Sequence, residues 1–242
     1  MSSILVENIV KEVPPHSVNA DIIDSHDFAK LVRGVLRNGG ITMFLFGSSR
    51  SGKTTFLSNI ITPLFAESSI VAAFLPNSVA DVYDCMRENK NVVIIPELRT
   101  EVIADVVQFQ RKQKSLPDYK TVEDPPRWTF ILDDVTSDLF KNNNEVARGF
   151  TTYRNLGIST IVAAQYITMA KKESRANVNL SIFFRLNTPE ARMSAIKDHL
   201  PDLFSIQGSS IADKADAYNA LTRDYIIISD NLNGLYHLLP RD

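Results

Sequence analysis

The sequence has a single cysteine, Cys85, so the chain cannot form an internal disulfide. This usage suits a reducing compartment, and Cys85 falls in an amphipathic stretch where we expect it to be buried. No apolar run approaches the roughly 18 residues that a membrane-spanning helix needs. The N-terminus also lacks the basic and then apolar pattern of a secretion signal. These absences predict a soluble protein that is not secreted and has no membrane span.

A large charge of one sign is also missing. The 26 Lys and Arg residues oppose 28 Asp and Glu residues, which leaves a net charge of −2. Without a general attraction to nucleic acid, any DNA contact must come from a local basic patch or from an assembled ring. The length is enough to bury one substantial core. We expect a single domain over residues 1–242, with an N-terminal arm and helix (1–40), a core (41–230) and a C-terminal tail (231–242).

The most informative segment is GSSRSGKT at residues 47–54, which fits the pattern G-x-x-x-x-G-K-S/T at every fixed position. An apolar, β-prone run (41–46) precedes it, and a helical pattern that stops at Pro63 follows it. A polyphosphate needs several backbone N–H donors at one point, and glycines let the backbone come that close. The segment therefore predicts a phosphate-binding loop before a helix N-terminus. A plain turn between a strand and a helix is the alternative.

Two side chains of this segment have expected roles toward a nucleotide. Lys53 can reach the β- and γ-phosphates, and the Thr54 hydroxyl can ligate Mg²⁺. The segment NKNV at residues 89–92 lacks the Asp of the guanine-reading pattern N-K-x-D, so ATP is the expected nucleotide. The expected nucleotide-binding residues are Gly47, Ser48, Ser49, Arg50, Ser51, Gly52, Lys53, Thr54 and Thr55.

A second informative segment is WTFILDD at residues 128–134, an apolar strand that ends in two carboxylates. Ligands gather at the carboxyl ends of parallel strands, so both acids are expected beside the phosphate-binding loop. Neighbouring strand residues point to opposite sides of a sheet. Asp133 can therefore face Mg²⁺, largely through water, while Asp134 polarises the attacking water. The alternative is that an Asp here only caps a following helix.

A third segment, GISTIVAAQ at residues 157–165, has the pattern of a buried strand that ends in a lone amide. At that position Gln165 is expected to contact the γ-phosphate or the attacking water, and so to sense the state of the nucleotide. An ordinary amide at a strand end is the alternative.

The rest of the chain alternates between strand and helix patterns. Asp24 or Ser25 is expected to cap the first helix. Further helices are expected at residues 79–88 and 97–115. The core-facing residues expected in the second are Val102, Ile103, Val106, Val107 and Phe109. The alternation predicts an α/β fold, with a mainly parallel sheet flanked by helices.

These segments, in this order, resemble the FtsK–HerA class of P-loop motor ATPases, and most closely the poxvirus-type virion DNA-packaging ATPases. The resemblance runs over about residues 41–230. It is carried by FILDDV (130–135), by RNLGIS continuing to AQY (154–166), and by SRAN (174–177), FRLN (184–187) and DYIIISD (224–230). One departure is Asp134, because the wider superfamily usually has Glu at that position.

The resemblance implies a P-loop NTPase with a RecA-like (ASCE-type) sheet, in which the Gln165 strand lies between the strand before the phosphate-binding loop and the strand that ends at Asp133. It implies an ATPase that translocates double-stranded DNA and packages a viral genome into a preformed capsid. The implied partners are other copies of the chain, in a pentameric or hexameric ring, and a capsid portal or vertex protein. The implied location is the virion or the viral factory in the host-cell cytoplasm.

Ring motors place each nucleotide between subunits, so an arginine of one subunit can neutralise charge in its neighbour's transition state. Arg154 is the first candidate, because it belongs to the resembling segment just before the Gln165 strand. Arg185 and Arg175 follow. For Arg154 the alternative is a surface arginine paired with an acid. The expected catalytic residues are Lys53, Asp134, Gln165 and Arg154.

Two basic clusters are candidates for contact with DNA phosphates, without reading the base sequence. One consists of Arg111, Lys112 and Lys114, and the other of Lys171, Lys172 and Arg175. A solvated helix end is the alternative for each cluster.

Two other classes of function stay open at this point. One is a P-loop kinase of a small metabolite, although the chain has no recognisable arginine-rich lid. The other is a nucleotide-gated interaction module with little turnover.

Overall fold

The computed structural model describes residues 21–36, 39–75, 77–117, 127–134, 144–166, 172–200, 210–230 and 235–238. The expected N-terminal arm, residues 1–20, lies outside them. Within these ranges the chain forms a sheet with a hydrophobic core on each of its faces. None of the helices found there is long and apolar enough to cross a membrane.

The sheet contains nine strands in the described part of the chain. They are β1 Asp21–Ile23, β2 Thr42–Phe46, β3 Ile70–Phe74, β4 Val92–Ile95, β5 Trp128–Leu132, β6 Ile158–Ala164, β7 Leu180–Phe183, β8 Ile226–Asp230 and β9 Leu235–Leu238. Their spatial order is β1-β9-β8-β7-β2-β6-β5-β3-β4. Neighbours are parallel except at β7–β8 and β8–β9, where β8 runs the other way. The predicted mainly parallel α/β sheet is confirmed, and β6 lies between β2 and β5 as the resemblance implies.

Helices connect the strands. They are α1 Ser25–Leu36; α2, which is α-helical at Lys53–Phe56, π-helical at Leu57–Ile61 and α-helical again at Thr62–Ala66; α3 Thr100–Ser115; α4 Asn144–Gly149; α5 Lys172–Ala176; α6 Pro189–His199; and α7 Ile211–Asp224. Two 3₁₀ helices span Asn77–Met86 and Tyr153–Leu156. The cap of α1 is Asp24, whose Oδ1 accepts hydrogen bonds from the backbone N–H groups of His26 and Asp27, both at 2.8 Å.

The side chains of β2 alternate between the two cores. Phe44 and Phe46 pack on one face, with apolar residues of α3, α4, α6 and α7. Met43 and Leu45 pack on the other face, with apolar residues of α1 and α2. Because β2, β5 and β6 are covered on both faces, packing on each side holds the loops that begin at their carboxyl ends.

The segment expected to be helical at 79–88 is a 3₁₀ helix, Asn77–Met86. A 3₁₀ helix repeats every three residues, so Tyr83 and Met86 share one face. That face is turned inward, since Tyr83 is buried and Met86 is half-buried. Cys85 lies off it and is exposed, which corrects the prediction that this cysteine is buried.

The long helix expected from residue 97 begins at Thr100. Phe109 is 43% exposed, so the prediction that it faces the core is wrong. The predicted core positions Ile103, Val106 and Val107 are buried, so that part of the prediction is confirmed. The stripe continues through the polar Gln110 and not through Phe109. The Gln110 amide is accommodated by donating to a backbone carbonyl oxygen at 3.0 Å.

Two glycines offer a matched test of close packing in this fold. A Cβ on Gly40 would lie 2.1 Å from the Ile158 carbonyl oxygen, whereas a Cβ on Gly34, in α1, would meet nothing within 4 Å. We expect Gly40→Ala to destabilise the protein by about 1–3 kcal/mol or more, because backbone must move. Gly34→Ala should stabilise it by about 0.5–1 kcal/mol through helix propensity. Urea unfolding measures both, and a similar effect of the two substitutions would contradict this packing.

Candidate nucleotide-binding site

The carboxyl ends of three neighbouring strands meet at one edge of the sheet, which we call the site edge. There β2 leads into the loop at residues 47–52, β5 leads into Asp133 and Asp134, and β6 leads into Gln165. The fold thus brings together the three segments that the sequence singled out. Ligands of open parallel sheets bind at this kind of edge.

The loop at residues 47–52 is closed by hydrogen bonds to backbone carbonyl groups. The Gly47 N–H donates to the last residue of β6 at 3.3 Å, and the Ser51 N–H donates to the Ser48 carbonyl oxygen at 3.2 Å. The Lys53 ammonium donates to the carbonyl oxygens of Gly47 and Ser48, at 2.6 Å and 2.9 Å. These bonds hold the Lys53 charge against the loop.

The two motif glycines meet different physical needs. A Cβ on Gly47 would lie 2.4 Å from Ser51 Oγ and 2.7 Å from Phe184 Cβ, so only glycine fits there. Gly52 has open space around it, but its φ of +93° is in the left-handed region that favours glycine. Arg50 has a positive φ as well, 61°, which is uncommon for a residue with a side chain. The loop therefore stores backbone strain, as functional loops often do.

The helix α2 begins directly after the loop. No side chain caps it at Gly52. The first N–H groups of a helix have no partner within the helix, and here the Phe56 N–H is the one that bonds back to Gly52, at 2.9 Å. The N–H groups of Lys53, Thr54 and Thr55, together with the positive end of the helix dipole, form a site that suits an anion.

Asp133 is buried after β5, with 2% of its surface exposed. Burial raises the pKa of its carboxyl group, while the Thr54 hydroxyl and the charge of Lys53 oppose the rise. Burial lowers the pKa of the Lys53 ammonium, against the attraction of Asp133 and Asp134. Among the described residues, Asp133 Oδ2 has no hydrogen-bond partner. The site therefore contains a buried carboxylate oxygen that still needs a partner.

Asp134 has different surroundings from its neighbour. It is exposed, and its backbone is left-handed with φ 53°. The Gln165 side-chain amide, at the end of β6, donates to Asp134 Oδ1 at 3.0 Å. Two residues that the sequence analysis assigned to separate segments are thus in direct contact at the site edge.

The donor atoms of Thr54 and Asp133 suit a Mg²⁺ ion. This ion prefers oxygen ligands, and at nucleotide sites it usually takes one or two from the protein and the rest from phosphate and water. The Thr54 hydroxyl interacts with the Asp133 carboxyl group. The buried Asp133 Oδ2 without a partner is the kind of oxygen that such an ion, or water bound to it, would satisfy.

Two cavities meet at Ser51 and Arg185. The first, of about 600 Å³, lies between α2 and the start of β8, and its lining includes Thr55, Asn59, Phe184, Arg223 and Tyr225. The second, of about 640 Å³, is basic, and its lining includes Ser49, Arg50, Asn187, Arg192 and Asn219. The sequence analysis missed Asn59, Tyr225 and Arg192. No motif marks Asn59 or Arg192, and Tyr225 has no assigned role within the resembling segment 224–230, because only the fold brings these elements beside the loop.

The candidates for an arginine finger lie in different places. Arg185 lies two residues after the end of β7. Its carbonyl oxygen accepts a hydrogen bond from the Ser48 N–H at 3.0 Å, so it belongs to the site edge. Arg154 precedes β6, and its carbonyl oxygen accepts from the Gly40 N–H at 2.9 Å at the opposite edge. The seven residues of β6 separate these edges by about 20 Å, at about 3.3 Å per residue. Arg154 is therefore remote from its own loop. Arg175 lies in α5.

One basic cluster shares the opposite edge with Arg154. Its members, Arg111, Lys112 and Lys114, are exposed in the last turns of α3. The Lys114 ammonium donates to the carbonyl oxygen of Asn155, the residue after Arg154. In the other cluster, Lys171 and the side chain of Lys172 lie outside the described residues.

Substitutions of the two acids should have separate effects. Asp133→Asn should weaken Mg²⁺-dependent nucleotide binding. It should also stabilise the metal-free protein, since burial disfavours the ionised carboxylate. Asp134→Asn should leave binding intact and reduce hydrolysis by about 10²-fold or more. Titration with a slowly hydrolysed ATP analogue, together with turnover and thermal unfolding, measures these effects. An equal loss of binding in both variants would contradict the division.

The effect of Asp133→Asn on stability should depend on pH. The raised pKa means that the folded state binds the Asp133 proton more tightly than the unfolded state does. The metal-free protein therefore loses stability as the pH rises from the ordinary carboxyl pKa through the folded-state value. Above that pH window, Asp133→Asn should be more stable than the parent by the full amount. Below the window the two proteins should be equally stable, because Asp133 is protonated in both the folded and the unfolded state.

Comparison with known proteins identifies the fold. No protein-family model matches the sequence, and no curated protein matches it. The structure is similar to that of the genome packaging NTPase B204 from Sulfolobus turreted icosahedral virus 2 in complex with ATP-gammaS, with a TM-score of 0.56 and 14% identity over 83% of this chain and 97% of that chain.

Two further similarities extend this result. The DNA-packaging ATPase B204 from Sulfolobus Turreted Icosahedral Virus has a TM-score of 0.60 and 14% identity, over 85% of this chain and 100% of that chain. EssC (ATPases 2 and 3) from Geobacillus thermodenitrificans has a TM-score of 0.60 and 16% identity, over 86% of this chain and 40% of that chain. The chain therefore has the fold of these ATPases, which agrees with the fold that the resemblance of its motifs implies.

Proposed function

We propose that this protein is a Mg²⁺- and ATP-dependent motor that translocates double-stranded DNA and packages a viral genome into a preformed capsid. The observation that carries the ATPase part is the meeting of the phosphate-binding loop, the buried Asp133, the exposed Asp134 and Gln165 at one edge of the sheet. The packaging part is supported by the likeness to B204, which is named a genome packaging NTPase and a DNA-packaging ATPase.

Phosphate binding follows from groups that are already arranged. Lys53 donates to the carbonyl oxygens of Gly47 and Ser48, so its ammonium group lies against the loop. A triphosphate in the loop would offer the ammonium anionic oxygens. The nearby acids favour the charged form of Lys53 against the effect of burial. The free N–H groups at the start of α2 add donors to the same anion.

The two acids divide the hydrolytic step. Mg²⁺, when bound, neutralises phosphate charge, and Thr54 and Asp133 are the residues that would hold it. Asp134 is exposed at the site edge, where its carboxylate can polarise the attacking water. Gln165 fixes one oxygen of Asp134 at 3.0 Å and leaves the other free for that water. When the water attacks, the change at Asp134 would therefore reach Gln165, which is hydrogen-bonded to it.

The strand β6 links this chemistry to the opposite edge of the sheet. Gln165 follows its carboxyl end, and Arg154 precedes its amino end, next to the basic cluster Arg111, Lys112 and Lys114. In our proposal this cluster contacts DNA phosphates without reading sequence. The motor is a homo-oligomeric ring, pentameric or hexameric, that works with a capsid portal or vertex protein in the virion or the viral factory.

Double-stranded DNA should stimulate ATP hydrolysis by the purified protein. Lys53→Ala should reduce turnover by at least about 10²-fold, because it removes the cation aimed at the phosphates. The exposed Lys90→Ala is the matched control and should keep the parental rate. Phosphate release, with and without DNA, measures both effects. Transfer of phosphate to a nucleoside would favour a kinase instead, and slow turnover that ignores DNA would favour a nucleotide-gated module.

Mixed rings should distinguish an arginine that acts across subunits from one that acts within its own subunit. Arg154→Ala should bind ATP normally and lose up to about 10³-fold in turnover, because a finger stabilises transition-state charge. Mixing it with Lys53→Ala should restore activity, because an intact loop then meets an intact Arg154 of a neighbour. Arg185→Ala, at its own site edge, should show no such recovery.

Native mass spectrometry must confirm that the rings contain both variants. If mixtures with Arg185→Ala recover activity and mixtures with Arg154→Ala do not, then Arg185 is the arginine that acts across subunits and Arg154 is not. Parental turnover in Arg154→Ala alone would make Arg154 a surface residue.

A further inference from the structure

Tyr83 is a buried residue between exposed neighbours. It lies in the 3₁₀ helix Asn77–Met86, which packs on the first turns of α2. The Tyr83 side chain is fully buried, whereas the neighbouring Val82, Asp84 and Cys85 are exposed. Among residues 81–86 of this segment, whose side chains the structure describes, Tyr83 is the fully buried one.

The hydroxyl of Tyr83 lies beside the carboxyl group of Asp133. Burial, the charge of Asp133 and the contact with its carboxyl group all raise the pKa of Tyr83. A tyrosine hydroxyl ordinarily carries its proton at physiological pH and can donate a hydrogen bond. Even so, neither Tyr83 Oη nor Asp133 Oδ2 has a hydrogen-bond partner of normal geometry among the described residues.

Other buried tyrosines of the described chain differ in this respect. The Tyr218 hydroxyl donates to the Phe184 carbonyl oxygen at 2.7 Å, and the Tyr153 hydroxyl donates to the Glu145 carboxylate. Buried tyrosine hydroxyls usually have such partners, because an unpartnered one is costly. A phenylalanine at position 83 would fill the same space without that cost. The hydroxyl of Tyr83 therefore calls for a role other than packing.

We propose that Tyr83 is a positioning residue of the metal site, whose hydroxyl donates a hydrogen bond to the Asp133 carboxylate, or to water held by it, and so fixes that carboxylate toward Thr54. The inference rests on the proposed ATPase function and deepens it. The bond would form when Asp133 takes up its position in the site that holds Mg²⁺ and nucleotide. Partners in the outer shell of a metal site act in this way: they orient a ligand without touching the metal.

The test compares Tyr83→Phe with Tyr153→Phe, a matched control at the opposite edge of the sheet. Nucleotide binding is measured with a non-hydrolysable ATP analogue while Mg²⁺ is titrated, and again in a chelator. We expect Tyr83→Phe to raise the Mg²⁺ midpoint by about tenfold, the low end of effects on metal affinity for such partners. Binding in the chelator should not change. Tyr153→Phe should leave the midpoint where it is.

Thermal unfolding without metal supplies the second readout. Tyr83→Phe should keep or raise the melting temperature, because it removes a buried hydroxyl without a partner. Tyr153→Phe should lower it, because it breaks a hydrogen bond that is already made. In the Asp133→Asn background, Tyr83→Phe should have no further effect on the Mg²⁺ midpoint.

Several outcomes would overturn the proposal. One is a Mg²⁺ midpoint of Tyr83→Phe within twofold of the parent, and another is a fall in melting temperature like that of the control. If Tyr83→Phe fails to fold, the hydroxyl is structural and the proposal is wrong. If the parental protein binds the analogue without any dependence on Mg²⁺, the metal site itself fails, and that result is visible before any variant is made.

Discussion

The nucleotide-binding site depends on how closely the backbone at Gly47 approaches its surroundings. Ser51 Oγ, Phe184 Cβ and Lys53 Cδ all lie within 3.4 Å of the point that a Cβ would occupy. Because the chain can close this tightly, the Gly47 and Ser48 carbonyl groups hold the Lys53 ammonium, and α2 starts immediately afterwards with its N–H groups free. A bulkier residue would open the loop and spread the donors that must converge on one phosphate group.

The sheet beside this loop is covered on both faces, and charged groups of the site are therefore buried, which is unfavourable for folding. Lys53 and Asp133 both lie in surroundings that disfavour their ionised forms. Strained backbone at Arg50 and Asp134 adds to that cost. The strands that lead into the site are buried on both faces by aromatic and aliphatic side chains, which offsets such local losses. Groups that are unfavourable for folding are retained where chemistry requires them.

The candidate residues lie at two opposite edges of the sheet. The site edge has the phosphate-binding loop, both acids, Gln165 and Arg185, whereas the opposite edge has Arg154 and the exposed cations at the end of α3. The central strand β6 joins the two. In the proposed motor, nucleotide chemistry and DNA contact therefore occur at opposite ends of the same strand. A small movement of Gln165 can be transmitted along the backbone of β6 to the other edge.

Much of the site could be predicted from the sequence alone, because its parts are local. The spacing of residues 47–54, the two carboxylates after an apolar strand and the amide at Gln165 depend only on neighbours along the chain and on strand and helix periodicity. The order of β2, β6 and β5 followed from the resemblance. The contact between Gln165 and Asp134, the burial of Tyr83 beside Asp133 and the position of Arg154 at the far edge were decided by tertiary structure. So was the exposure of Cys85. These features depend on which distant segments pack together and on whether a turn is α or 3₁₀, and no local pattern carries that information.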